Sequence, residues 1–234
     1  MFIFDELAAK ANEINNKYEA RTLEVHRDEK FREDPNQFIF NDDKAFELGA
    51  NPYYGIGLDL LFDSAFDDQI LLIGDDLPSI HGNRNYARIS IASIDKDKLG
   101  AGNDLYRSIR KFDYVKHRFS YEGALIRESV FARKESILIS KKALNKGGLS
   151  FSKLGSYIIA KQKELPFVKN VKVIFANLDS YDYKAIEELS TKCENITKAL
   201  DHLTNNVKMD CHSCSLQVIC NEVEKKVQED FGKK

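Results

Sequence analysis

The chain has 234 residues, of which 43% are hydrophobic and 31% are charged, and its formal net charge is −2. This composition is typical of a globular protein and excludes a chain that is mostly disordered. No stretch approaches the roughly 20 apolar residues that a membrane span needs. Asp5 and Glu6 stand where a secretory signal peptide would have a basic flank and an apolar core, so we expect a cytoplasmic protein.

Charge is distributed unevenly along the sequence. Residues 1–80 carry 18 acids and 7 bases, residues 81–175 carry 8 acids and 20 bases, and residues 176–234 carry 11 acids and 8 bases. In one interpretation the acidic part packs beside the basic middle segment and neutralises it. In the other, phosphates bind the middle segment, because arginine offers them a forked set of donors. The candidate residues for such an anion site are Arg84, Arg88, Arg107, Arg110, Lys111, Lys116, His117 and Arg118. A sequence pI near 6.2 makes nucleic acid an unlikely partner.

In the first half of the chain, apolar spacing predicts one opening helix. Apolar residues recur every three or four positions over 5–21, which fits a single helical stripe. A charged stretch follows, with a short strand expected at 38–40. Beyond the turn at 51–55, the length and spacing of 56–66 predict a second helix. The apolar runs at 70–73 and 86–94 predict buried strands.

The second half mixes helices and strands. Residues 105–126 predict a long basic helix, 136–139 and 168–175 predict strands, and 222–231 predicts a C-terminal helix. Ser140, Ser150 and Ser180 are candidate N-caps of helices at 141–145, 151–164 and 181–203. There is no regular βαβ period, so we predict an α+β fold, a mixed sheet of short strands with packed helices. We expect it to span residues 1–205, followed by a cysteine-containing segment at 206–234.

The strongest chemical signal is a group of cysteines near the C-terminus. Cys211, Cys214 and Cys220 have the spacing C-x2-C-x5-C, and Cys193 is the only other cysteine in the chain. In a reducing compartment, clustered thiols are more often metal ligands or redox groups than disulfides. We predict that these four residues bind a 4Fe–4S cluster, which takes four thiolates when all its ligands are cysteine.

Two other interpretations of the cysteines stay open. Zinc accepts the same thiolates, and His202 or His212 could replace one of them. The cysteines could also be unligated, since an unligated cysteine is often simply a small buried apolar residue, which would suit Cys193.

Five short motifs follow one another between residues 40 and 180. They are FELG at 46–49, GLDL at 57–60, IGDDL at 73–77, ILISK at 137–141 and ELPF at 164–167, the last followed by 171–175. In order and spacing they resemble the middle domain of the beta subunit of the carbon monoxide dehydrogenase/acetyl-CoA synthase complex, which is its acetyl-CoA synthase component. The cysteine motif stands where that family begins its nickel–iron–sulfur site.

The resemblance implies that Cys211 and Cys214 take the places of the first two cluster cysteines, and Cys220 that of a third at a shorter interval. The family's later fourth cluster cysteine and its Cys-Gly-Cys element for the distal nickel are absent from this sequence. The full acetyl-CoA synthase reaction is therefore not implied, and whether the chain is an enzyme stays open. What is implied is an iron–sulfur protein acting in electron transfer or in assembly with one-carbon complex subunits, with coenzyme A as a candidate ligand of the basic segment. A non-catalytic module stabilised by zinc or by thiols is the alternative.

Overall fold

A computed structural model describes residues 2–27, 30–31, 33–34, 38–100, 103–129, 134–204, 214 and 216–231. In that part of the chain, seven α-helices and eight strands confirm the predicted α+β class. In chain order they are α1 (Asp5–Asn15), β1 (Arg21–Leu23), β2 (Lys44–Leu48), β3 (Gly55–Phe62), β4 (Gln69–Ile73), β5 (Tyr86–Ile94), α2 (Lys96–Leu99), α3 (Asn103–Val115), β6 (Ala124–Glu128), β7 (Glu135–Ser140), α4 (Lys141–Asn145), α5 (Phe151–Lys163), β8 (Val168–Ala176), α6 (Tyr183–Thr204) and α7 (Gln217–Phe231). None of the helices described is long and apolar enough to cross a membrane.

The strands form two sheets. The larger sheet has the order β1-β4-β8-β5-β3, in which β4 pairs with β8 and β3 with β5 in parallel while the other pairs are antiparallel. The smaller sheet, β2-β7-β6, is antiparallel throughout. Isolated bridges between Leu48 and Arg84 and between Ile56 and Lys134 join the two sheets. All nine residues of β5 are buried, as expected of a strand covered on both faces.

Helices cover the larger sheet. α5 packs against β8 and β4, and a Cβ on Gly155 would lie 2.9 Å from the Ile70 side chain, so a residue without a side chain allows this close approach. α6 packs along β3, which lies at the end of the strand order. The Ser190 hydroxyl donates to the Gly57 carbonyl at 3.4 Å, so α6 provides a donor to the edge of β3.

Most of the predicted strands are confirmed. The runs at 70–73, 86–94, 136–139 and 168–175 occur as β4, β5, β7 and β8. Two predicted caps are also confirmed: the Ser140 hydroxyl accepts from the Ala143 amide at 3.1 Å and the Ser150 hydroxyl from the Lys153 amide at 3.3 Å. Apolar runs that end at capping residues were therefore interpreted correctly.

Three predicted elements and one predicted cap are wrong. Residues 56–62 belong to strand β3 and not to a helix, and residues 63–66 follow it outside any helix or strand; seven of the eight β3 residues are buried, which suits a strand covered on both faces. The long helix at 105–126 ends at Val115; a 3₁₀ turn and Gly123, at a φ of 86°, then lead the chain into β6. No strand forms at 38–40. The helix predicted at 181–203 is confirmed as α6, but its predicted cap is wrong: the Asp182 carboxylate, and not Ser180, accepts from the Ala185 amide at 3.1 Å.

The ends of two helices differ from the prediction. α1 ends at Asn15 and not at residue 21, and α7 begins at Gln217, five residues before the predicted start. The expected boundary at 205/206 adjoins residues 205–213, which lie outside the described part. Beyond it, α7 packs against α6, and Val223 is only 2% exposed within the core.

Candidate functional site

Cys193 lies on the buried face of α6. The residue is 3% exposed, and its Sγ atom lies 3.7 Å from the backbone carbonyl oxygen of Asp59 on β3. One helical turn later, the Thr197 hydroxyl donates to the Cys193 carbonyl at 3.0 Å. The thiol therefore packs against the strand edge, beside the similar contact of Ser190, as a small core side chain would.

Cys214 and Cys220 lie on either side of the start of α7. Both are partly exposed, and the Cys220 amide donates to the Leu216 carbonyl at 2.8 Å, so this thiol lies in the first turns of the helix, as its spacing predicts. Further along α7, the Lys226 ammonium donates to the Glu6 carboxylate at 2.8 Å. The segment that carries these thiols therefore leads into a helix attached to the rest of the fold. Cys211 and His212 lie outside the described residues.

The thiols have the chemistry of metal ligands, but the described residues alone do not assemble a complete site. Three cysteines within ten residues are a donor set typical of iron–sulfur or zinc sites. Among the described side chains, no three of His, Cys, Asp or Glu form a group that could hold a metal ion. Cys193, Cys214 and Cys220 are thus not brought together, and His202 lies in the last turn of α6. Metal binding by the four cysteines stays a prediction.

A polar cluster that was not predicted from the sequence surrounds Arg88 in the core. Its Nη1 and Nη2 atoms donate to the two Asp59 carboxylate oxygens at 2.6 and 2.9 Å. Its Nε and Nη2 atoms donate to Glu135 Oε2 at 2.9 and 2.6 Å. Ser90 Oγ accepts from Nη1 at 2.9 Å, and the Gln162 amide donates to Asp59 Oδ1 at 2.9 Å. One guanidinium thus bridges two carboxylates, on β3 and β7.

The Arg88 cluster is closed to solvent. Arg88 is 0% exposed, Asp59 5% and Glu135 1%, so an external anion cannot reach the guanidinium. Burial raises the pKa of Glu135, and Arg88 opposes that shift. A Cβ on Gly57 would lie 2.5 Å from Glu135 Oε2, so only glycine fits above this carboxylate. The cluster therefore holds the two sheets together and is not a ligand site.

Most of the other cations proposed for an anion site also contact acids of the chain. The pairs are Arg84–Asp75 at 2.9 Å, Arg107–Asp104 at 3.6 Å, Arg110–Asp113 at 3.2 Å, Lys116–Asp113 at 3.0 Å and Arg118–Glu164 at 3.2 Å. Asp75 belongs to the acidic first part of the sequence, and the remaining acids belong to the basic segment itself. Of these pairs only Arg84–Asp75 offsets the excess charge of the segment, but acids of the first part also contact Arg88, Lys96, Lys161 and Lys163, so packing against that part neutralises some of the excess.

The basic segment does line one cleft, with a volume of about 400 Å³, between α3 and α6. The wall on α3 is formed by Tyr106, Arg110, Asp113 and Tyr114, and the wall on α6 by Glu194, Thr197, Lys198 and Asp201. Lys116 and His117, from the 3₁₀ turn after α3, and Glu128, at the end of β6, complete the lining.

Glu128 is the most perturbed acid of this cleft. Its side chain is 5% exposed, and Oε1 lies 2.5 Å from the Lys116 ammonium. Oε2 is buried without a hydrogen-bond partner among the described residues, and the His117 ring nitrogen Nδ1 lies 3.9 Å from it. Burial raises the pKa of Glu128 to about 7 although Lys116 opposes the shift. Burial and then Lys116 lower the pKa of His117.

One sequence signal could have revealed the buried acids and base. Asp59 and Arg88 each interrupt an apolar run, and a charge inside such a run requires a buried partner. The partners of Arg88 are distant in sequence: Asp59 is 29 positions away and Glu135 is 47 positions away. Only the fold therefore identifies them.

Comparison with known proteins adds no relative. No protein-family model matches the sequence, and no curated protein matches it. The resemblance to the acetyl-CoA synthase beta subunit accordingly depends on its five short motifs and the cysteine spacing.

Proposed function

We propose that the chain is an iron–sulfur protein in which Cys211, Cys214 and Cys220 bind a 4Fe–4S cluster beside the start of α7, with Cys193 as the candidate fourth ligand. The observation that carries the proposal is the C-x2-C-x5-C spacing, whose last thiol lies in the first turns of a helix and is partly exposed. Thiolates in this arrangement are the usual ligands of such clusters.

The cluster would serve electron transfer or assembly with subunits of a carbon monoxide dehydrogenase/acetyl-CoA synthase type of complex. The partial exposure of Cys214 and Cys220 supports this role, because a partner has to approach a cluster closely to exchange electrons with it. The contacts of α7 through Val223 and Lys226 support this role as well, because they would hold a cluster at the start of α7 in a fixed position relative to the rest of the fold.

Anaerobic purification tests the proposal. The protein should show a broad absorption in the blue that bleaches with dithionite, together with iron and acid-labile sulfide. Cys214→Ala and Cys220→Ala should lose most of this iron, whereas Ser213→Ala, within the same motif, should keep it. A colourless protein with stoichiometric zinc would support the zinc-stabilised module, and a protein without metal would refute both metal sites and leave the module stabilised by thiols alone.

The fourth ligand is tested by Cys193→Ala. If Cys193 binds the cluster, this variant loses as much iron as Cys214→Ala. If it retains the full iron content, Cys193 is a core residue and the fourth ligand is another group. Circular dichroism of both variants separates loss of metal from loss of fold.

Coenzyme A is a further part of the proposal, as a ligand of the basic segment. Its phosphates would compete with the acids that already contact the arginines there. Because salt screens the attraction between phosphate and arginine, binding should weaken as the salt concentration rises. Calorimetry with coenzyme A at low and at physiological salt tests this, and no heat of binding under either condition removes coenzyme A from the proposed function.

A further inference from the structure

One acid of the cleft between α3 and α6 has a buried carboxylate oxygen that accepts no hydrogen bond from the described residues. Glu128 lines the cleft, and its buried Oε2 atom accepts no hydrogen bond from the described residues and lies 3.9 Å from His117 Nδ1. An acceptor that is withdrawn from water without a partner is costly, by about 1–3 kcal/mol, so such atoms usually face a ligand or a bound water. A group that donates a hydrogen bond fits this position.

The charges around the cleft decide which donor fits. Its acids are Asp113, Glu128, Glu194 and Asp201, and its permanent cations are Arg110, Lys116 and Lys198, so ionised Glu128 leaves one excess negative charge. Each of the cations already contacts an acid: Arg110 and Lys116 contact Asp113, and Lys198 lies 2.7 Å from Glu194. Although part of the cleft comes from the basic segment, the charges that line the cleft favour a cationic ligand.

We propose that this cleft binds a small organic ammonium compound whose ammonium group donates to Glu128 Oε2. A volume of about 400 Å³ is within the range of small-ligand pockets. Tyr106 and Tyr114 give the walls aromatic surface for the carbon chain of the ligand, and the Arg110 guanidinium already lies 4.9 Å from the Tyr114 ring centre. The site is separate from the proposed cluster and does not depend on it.

Binding at this site should depend on pH through Glu128. Lys116 and His117 from the 3₁₀ turn contact Glu128, Asp113 from α3 contacts Lys116, and the charges of Asp59 and Glu135 on the strands act on Glu128 electrostatically. Glu194, Lys198 and Asp201 lie on the opposite wall. With a pKa of about 7, Glu128 is roughly 10% ionised at pH 6 and roughly 90% at pH 8. The ammonium group keeps its charge over this interval, so affinity should increase about tenfold from pH 6 to pH 8.

Calorimetry with three probes of equal chain length tests the proposal. Butylamine should bind the full chain, more tightly at pH 8 than at pH 6, whereas butanol and butyrate should bind at least 10-fold more weakly. Glu128→Gln should weaken butylamine binding at pH 8 by at least 10-fold and remove the pH dependence. Glu187→Gln, an exposed glutamate of α6 outside the cleft, should leave both unchanged.

If Glu128→Gln fails to fold, carbon NMR of the Glu128 carboxyl group in the unaltered protein tests the proposal instead, by measuring the pKa of Glu128 with and without butylamine. Saturating butylamine should lower the pKa of Glu128 in the unaltered protein, because a bound cation favours the ionised carboxylate. The proposal is overturned if butylamine leaves this pKa in place, if butyrate binds as well as butylamine, or if a folded Glu128→Gln variant binds butylamine normally.

Discussion

Replacing Arg88 by methionine removes the positive charge that lies between Asp59 and Glu135 in the core. Methionine fills much of the arginine volume, so the change is mainly one of charge and hydrogen bonding. Both carboxylates would stay buried, with side chains 1% and 0% exposed. The variant therefore measures what the guanidinium contributes to folding.

The size of the loss can be worked out in two ways. Removing one partner of a buried ion pair typically costs about 3–5 kcal/mol. Alternatively, a stranded carboxyl can take up a proton; with an ordinary pKa near 4 this costs about 1.4 kcal/mol for each pH unit above that value, or about 4 kcal/mol at pH 7. The two figures agree. A loss of about 4 kcal/mol should lower the melting temperature by roughly 8–16 °C in a domain of this size.

Urea unfolding at pH 7 and pH 5 is the assay, and Arg84→Met is the matched control. Arg84 forms a more exposed pair with Asp75 at 2.9 Å, and such pairs contribute about 0–1 kcal/mol. In Arg88→Met the folded state binds more protons than the unfolded state, so its deficit should shrink as the pH falls from 7 to 5. A loss below about 1 kcal/mol, or a deficit that grows at pH 5, would refute the reasoning.

Three further predictions concern single side chains. Gly57→Ala should lower the free energy of unfolding by about 1–3 kcal/mol, because the new Cβ atom meets the Glu135 carboxylate. Gly148→Ala, whose Cβ atom would meet nothing within 4 Å, should change it little, and urea unfolding compares the two variants. In native, metal-free protein Cys193 should react with iodoacetamide at least about 10-fold more slowly than Cys214, as peptide mass spectrometry would show; equal rates would contradict its burial. Ser150→Ala should remove an N-cap and lower the thermal stability by about 1 kcal/mol, and an unchanged melting temperature would count against the cap.

The sequence predicted best those elements whose signals are local. Strands β4 and β7 are short apolar runs that end at turn or capping residues; Ser140 caps α4 directly after β7, and Ser150 caps α5. These features depend on neighbours within a few positions, so a single sequence is sufficient for them.

Elements that depend on distant partners could not be predicted in this way. β3 is buried by β5 on one side and α6 on the other, and its apolar run suits a buried helix equally well. Arg88 was expected to meet phosphates because its partners, Asp59 and Glu135, come from other strands. Glu128 gave no signal at all, since its unusual pKa arises from burial, which only the packed structure creates.

The Arg88 bridge also affects how the molecule can open. Because one guanidinium binds Asp59 on β3 of the larger sheet and Glu135 on β7 of the smaller one, separation of the smaller sheet would break the Arg88–Glu135 ion pair. Partial opening of β6 and β7 alone is thereby disfavoured relative to unfolding of both sheets together. Amide hydrogens of Ile137 and Ile139 should accordingly exchange with solvent on the same timescale as those of Ile89 and Ile91, and the two sheets should behave as one cooperative unit.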